Sequence, residues 1–119
     1  METLHISDKS FSYQDFAPLL SAPVRIHVDK KSKLKIKKSY DHLVNILSKG
    51  ETIYGVNTGF GKLSQVKINK EDQNKLQINL IKSHSAGVGE TMDSGIVRVA
   101  MVLKLINYCH GYSGVHPST

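Results

Sequence analysis

Ile96-Val97-Arg98-Val99-Ala100-Met101-Val102-Leu103-Lys104-Leu105-Ile106 contains only two charged side chains, Arg98 and Lys104. Its apolar residues fall on nearly every side of a helix, and such a helix must be covered all round. The pattern starts near Asp93 and runs out near Cys109, so a helix is expected from about Asp93 to Cys109. The remaining amphipathic segments are too few and too short to enclose it. The stretch therefore predicts an incomplete unit that needs helices from further sequence or from other subunits.

Upstream, Asn69 is placed to cap a helix with Glu71 and Asp72 in its first turn, where the macrodipole favours acids. Leu76, Leu80, Ile81 and His84 would form its inward face, and Gly87 follows its end. Tyr40, Leu43, Val44 and Leu47 have the same helical spacing, with Ser39 as cap and Gly50 as stop. Further back, Val24, Ile26 and Val28 alternate with Arg25 and His27, which is strand periodicity. Lys33–Lys37 also alternates, so a turn over Asp29–Ser32 would fold the two runs into a hairpin. Phe11 to Leu20, with Ser10 ahead, is a short helix ended by Ser21-Ala22-Pro23. The expected class is mainly α, an α+β fragment carrying a small β-hairpin.

The chain has 119 residues, 39% hydrophobic and 22% charged, a globular composition. No stretch reaches the roughly 18 apolar residues of a membrane span. The opening residues mix Glu2, His5, Asp8 and Lys9 without a hydrophobic signal core, so a cytoplasmic protein is expected. Cys109 is the single cysteine, which excludes an internal disulfide and a cysteine metal cluster and suits a small buried hydrophobe. The net charge of +6 is concentrated at Lys30, Lys31, Lys33, Lys35, Lys37 and Lys38. A phosphate-binding stripe would add arginines and interleaved aromatics. Only Tyr40 is near, so the lysines read as the solvated edge of a strand and no nucleic-acid partner is expected.

Chemistry is concentrated in Tyr54-Gly55-Val56-Asn57-Thr58-Gly59-Phe60-Gly61. Three glycines in eight residues imply unusual dihedrals or close backbone approach. The spacing is neither a dinucleotide fingerprint nor a P-loop. Composition alone leaves a structural turn as open as a catalytic loop. A second cluster, Ser83-His84-Ser85-Ala86-Gly87-Val88-Gly89, follows. A lone histidine such as His84 on an apolar helical face is usually a hydrogen-bonded core residue. His5, His27, His42, His110 and His116 lack metal-ligand spacing, so no metal is assigned.

In this order these motifs resemble the aromatic amino acid ammonia-lyases, and among them the histidine ammonia-lyases above all. The resemblance runs through Ala22-Pro23-Val24-Arg25, the loop Tyr54–Gly61, Leu76-Gln77, Asn79-Leu80 and Ser83–Gly89. It continues in Val97-Arg98, Met101–Lys104 and Gly111-Tyr112-Ser113-Gly114. It implies that residues 1–119 are the N-terminal portion of a large helical lyase, with the central helical bundle beginning at about residue 93. It further implies a homotetramer that eliminates ammonia from L-histidine to give trans-urocanate in histidine degradation. The family's electrophile is a methylideneimidazolone formed from an Ala-Ser-Gly tripeptide. That tripeptide is absent here, since Ser85-Ala86-Gly87 and Tyr112-Ser113-Gly114 differ in order or composition. The resemblance makes Tyr54 the base that removes the β-proton, although a free phenol has a pKa near 10 and needs nearby positive charge or oriented donors to serve. Gly55, Asn57, Thr58, Gly59, Phe60 and Gly61 become loop support, and His84 a substrate-binding residue suited to an imidazole. His116-Pro117-Ser118-Thr119 departs from the family, where an arginine usually follows Ser-Gly-Val. The fragment alone is expected to be inactive. A related lyase or aminomutase, and a truncated binding module, remain the alternatives.

Overall fold

The computed structural model describes residues 2–7 and 9–119. Met1 and Asp8, part of the polar opening stretch, lie outside the described residues. The chain divides into two compact units, Met1–Val44 with Thr91–Thr119, and Asn45–Glu90.

The first unit opens with strand β1 (Thr3–Ile6), which the sequence reading did not assign. A single 3-10 turn, Tyr13–Phe16, leads into α1 (Ala17–Ser21). The apolar run beginning at Phe11 thus becomes a turn plus a short helix. Asp15 accepts a 2.7 Å hydrogen bond from the Ser12 N–H, so the cap is Ser12, two residues beyond Ser10. Ala22 takes an extended conformation (φ −152°, ψ 159°) before Pro23, and α1 stops there. Strand β2 (Arg25–Val28) follows as its periodicity requires.

The hairpin does not form. β2 pairs in parallel with β1, in the register Thr3↔Arg25, Leu4↔Ile26, His5↔His27 and Ile6↔Val28. The lysine run is instead the first half of a long helix, α2 (Lys30–Ser48). Asp29 decides this: its carboxylate accepts the Ser32 N–H at 2.7 Å and its carbonyl the Lys33 N–H at 3.1 Å, a helix cap. Lysine is a good helix former and is depleted in strands. The inward positions here are Ser32, Ile36, Ser39 and Leu43, spaced at three and four residues. Two of them are serines and Leu34 is 58% exposed, so the hydrophobic pattern imitated a strand. Ser39 is therefore not a cap but an interior residue, whose Oγ accepts the Gly114 N–H at 2.9 Å. Its small size admits the C-terminal segment. A Cβ on Gly111 would lie 2.8 Å from the Lys35 Cβ, so that segment approaches α2 at backbone distance.

In the second unit α3 (Lys70–His84) begins at Asn69, which occupies the cap position without a side-chain cap hydrogen bond. The last helix, α4 (Ser94–Cys109), returns to the first unit. Asp93 caps it by accepting the Gly95 and Ile96 N–H groups at 2.8 and 3.2 Å. The core of the first unit gathers Ile6, Leu19, Val102 and Cys109, with Phe16, Ile26, Val28, Ile36 and Leu105 packed around them. Arg98 fixes α1 against α4, its Nε donating to the Leu19 carbonyl at 2.7 Å. Burial pushes the Cys109 thiol above its ordinary range, and the Asp29 carboxylate adds to the shift. The mainly helical α+β class stands, and its β component is a parallel pair. Among the described residues no helix is long and apolar enough to cross a membrane.

Candidate active site

Glu51–Gly61 contains no strand, and only Thr58 forms an isolated bridge, with Lys67. The loop is held by two polar residues that are themselves buried. Asn57, 2% exposed, accepts the Ile53 N–H at 2.7 Å and donates to the Glu51 carbonyl at 2.8 Å. Thr58, fully buried, accepts the Gly55 N–H at 3.1 Å and donates to the Gly59 carbonyl at 2.9 Å. Buried polar groups are costly unless paired, and here each partner belongs to the loop's own backbone. The bonds therefore fix the loop shape.

That shape turns the Tyr54 side chain outward. Gly55 has φ +75°, a conformation a Cβ would strain, and it directs the chain away immediately after Tyr54. Tyr54 is 63% exposed, and its ring rests edge-on against Phe60 with centroids 6.0 Å apart. A Cβ on Gly59 would fall 2.7 Å from the Leu63 carbonyl oxygen, so the glycine permits the following turn, Gly61–Leu63, to pack back. Gly61 has open space around it and a positive φ of 55°.

α3 meets this loop through Gln77, whose Nε2 donates to the Gly55 carbonyl at 3.2 Å. The loop carrying Tyr54 and the helix carrying His84 are thereby joined one residue from the tyrosine. Sequence reading assigned Gln77 no role, because a glutamine on an exposed helical face carries no pattern of its own. His84 ends α3 and is exposed, as is Ile81, while Leu76 and Leu80 are half-buried. The expected inward face thus stops at Leu80, and His84 is not a core histidine in this chain. Its Nδ1 lies 2.8 Å from the Leu80 carbonyl and 3.0 Å from Ser83 Oγ, which itself donates to that carbonyl. A carbonyl only accepts, so this contact assigns the ring proton to Nδ1 and leaves Nε2 as a free acceptor when the ring is neutral. Among the described residues no three His, Cys, Asp or Glu side chains converge as a metal centre.

The sequence model of the family described as aromatic amino acid lyase matches residues 11–119. The chain is 35% identical over 117 residues to histidine ammonia-lyase of Aliivibrio fischeri, covering 98% of this chain and 23% of that protein. It is 42% identical over 101 residues to histidine ammonia-lyase of Yersinia enterocolitica, covering 85% of this chain and 20% of that protein. The fold matches tyrosine aminomutase from Streptomyces globisporus with a TM-score of 0.88 and 27% identity, over 98% of this chain and 22% of that one. The ergothioneine-degrading enzyme of Treponema denticola shares the fold, with a TM-score of 0.88 at 22% identity over 96% of this chain and 23% of that one. The chain spans 20–23% of the length of these curated relatives. With its Tyr54 loop, its α3 cluster and its apolar α4 all inside the matched region, the chain belongs to the aromatic amino acid lyase family.

Proposed function

We propose that this chain is the amino-terminal part of a histidine ammonia-lyase, an enzyme that eliminates ammonia from L-histidine to give trans-urocanate. The observation that carries the proposal is the loop in which buried Asn57 and Thr58 spend their polar groups on backbone and leave Tyr54 open to solvent. In this reading the Tyr54 oxygen takes the β-proton of the substrate. His84 recognises the imidazole: its Nδ1 is committed to the Leu80 carbonyl, so its Nε2 accepts the substrate ring N–H. Gln77 keeps loop and helix in one register. The reading is supported by the two histidine ammonia-lyases matched at 35% and 42% identity.

The family's methylideneimidazolone supplies the electrophile in such a reaction. No Ala-Ser-Gly occurs in these 119 residues, so no step through that group is derived. The chain by itself is then inactive. We also read residues 93–119 as the beginning of a central helical bundle, within a cytoplasmic homotetramer.

The test uses a longer protein that contains this segment and the tripeptide. Tyr54→Phe should lower the rate of urocanate formation by about 10²–10⁴-fold, the range of a positioned acid or base. His84→Phe should lose far more activity on histidine than on phenylalanine, followed by product absorbance. Equal losses on both substrates would remove His84 from selectivity and favour a related lyase or aminomutase. Urocanate production by the 119-residue chain alone would refute its inactivity.

A further inference from the structure

The parallel register of β1 and β2 brings together two histidines that stand 22 positions apart and show no ligand spacing in the sequence. His5 is the direct partner of His27. Leu4, Ile6, Ile26 and Val28 face the core side, and both histidines lie on the opposite, exposed face with Thr3 and Arg25. Their ring centroids are 5.1 Å apart with the planes tilted by 53°. Neither ring has a hydrogen-bond partner among the described residues.

We propose that His5 and His27 form a two-histidine chelating site for a first-row transition-metal dication of the Zn²⁺, Ni²⁺, Cu²⁺ class. Imidazole suits these ions, whereas Mg²⁺ and Ca²⁺ take oxygen ligands. A metal about 2.0 Å from each ligating nitrogen sits about 3.2 Å from each ring centre, so two ligands at a tetrahedral angle place their ring centres about 5.2 Å apart. At a right angle the separation is about 4.5 Å on the same distances. The observed 5.1 Å lies within that range. The sheet supplies the preorganisation: hydrogen-bonded strands hold the two Cα atoms in fixed register, and water completes the coordination shell. A bound ion would also bridge β1 to β2 and favour the folded state, since only the folded register pairs the ligands.

Titration of the purified chain with NiCl₂ and with ZnCl₂, followed by calorimetry, tests this. One site should appear that weakens at least tenfold in either His5→Ala or His27→Ala, and remains in His42→Ala. The same ZnCl₂ should raise the melting temperature of the parent chain and leave that of the double variant unchanged. Undiminished binding in a double variant with native circular dichroism would overturn the proposal. Should a variant fail to fold, substoichiometric CuCl₂ added to the unmodified chain decides. Selective broadening of the His5 and His27 ring resonances supports the site, and broadening confined to other histidines overturns it.

Discussion

Asn57 shows how much one side chain governs the loop. Its amide holds one backbone donor and one acceptor while itself only 2% exposed. Asn57→Ala should therefore destabilise the fold by about 1–3 kcal/mol, the cost of unsatisfied buried polar groups, measured by urea unfolding. A variant as stable as the parent would mean the loop is fixed by other contacts. Cys109 gives a second residue-scale prediction, with a sign that follows from its surroundings. Burial, and secondarily the Asp29 carboxylate, raise its thiol pKa above the ordinary value of 9.0, so the folded state holds the proton more tightly than the unfolded one. The resulting stability is fully present below the unfolded pKa and is lost as the pH rises through the folded one. Between about pH 8 and pH 10.5, the unfolding midpoint of the parent should fall more than that of Cys109→Ala. The Tyr54 loop was legible in the sequence as a motif. Its internal bonds were not, because Asn57 and Thr58 reach backbone groups whose positions depend on the dihedrals of Gly55 and its neighbours.

At the scale of elements, α4 and α2 form a contrast. α4 was readable end to end: the expected span from about Asp93 to Cys109, apolar but for Arg98 and Lys104, matches the helix Ser94–Cys109 within a residue. Because the cap satisfies two N–H groups, Asp93→Ala should cost about 0.5–2 kcal/mol, and Asp93→Ser should recover most of it. Thermal unfolding of the three proteins measures this, and an unchanged midpoint in Asp93→Ala would show the cap to be redundant. α2 misled the periodicity argument for a physical reason. Its covered positions include Ser32 and Ser39, and at Ser39 a small residue lets the segment around Gly114 come close. Leu34 meanwhile stands exposed among lysines. A helix that packs through serines and displays a leucine cannot be distinguished from an alternating strand by hydrophobicity. Pairing of β2 with β1 was equally hidden, since β1 has only Leu4 and Ile6 as apolar residues and joins a strand about twenty positions away.

For the molecule as a whole, α4 remains partly uncovered even after the core of its unit has formed. Ile96 is 52% exposed, Met101 68% and Leu103 49%, against 6% for Val102. A cavity of about 460 Å³ beside Met101 is lined by Leu19, Val24, Ile26 and Leu105, among others. Exposed apolar area of this kind promotes association. The chain should show concentration-dependent self-association in sedimentation velocity, and Met101→Glu should reduce it. A parent chain that stays monomeric over a hundredfold concentration range would refute this. Local pattern by itself determined the mainly helical class and the approximate ends of α3 and α4, and the resemblance of the motifs to a known family added Tyr54 and His84 as candidates. These depend on side-chain identity and near-neighbour spacing, which a linear sequence carries. Tertiary structure alone decided that the lysine run is helical, that the sheet is parallel, that His84 is open to solvent and that His5 faces His27. The sheet and the seat of α2 depend on distant groups coming into contact, β1 docking beside β2 and Gly111 closing on Lys35, and no local period encodes such contacts.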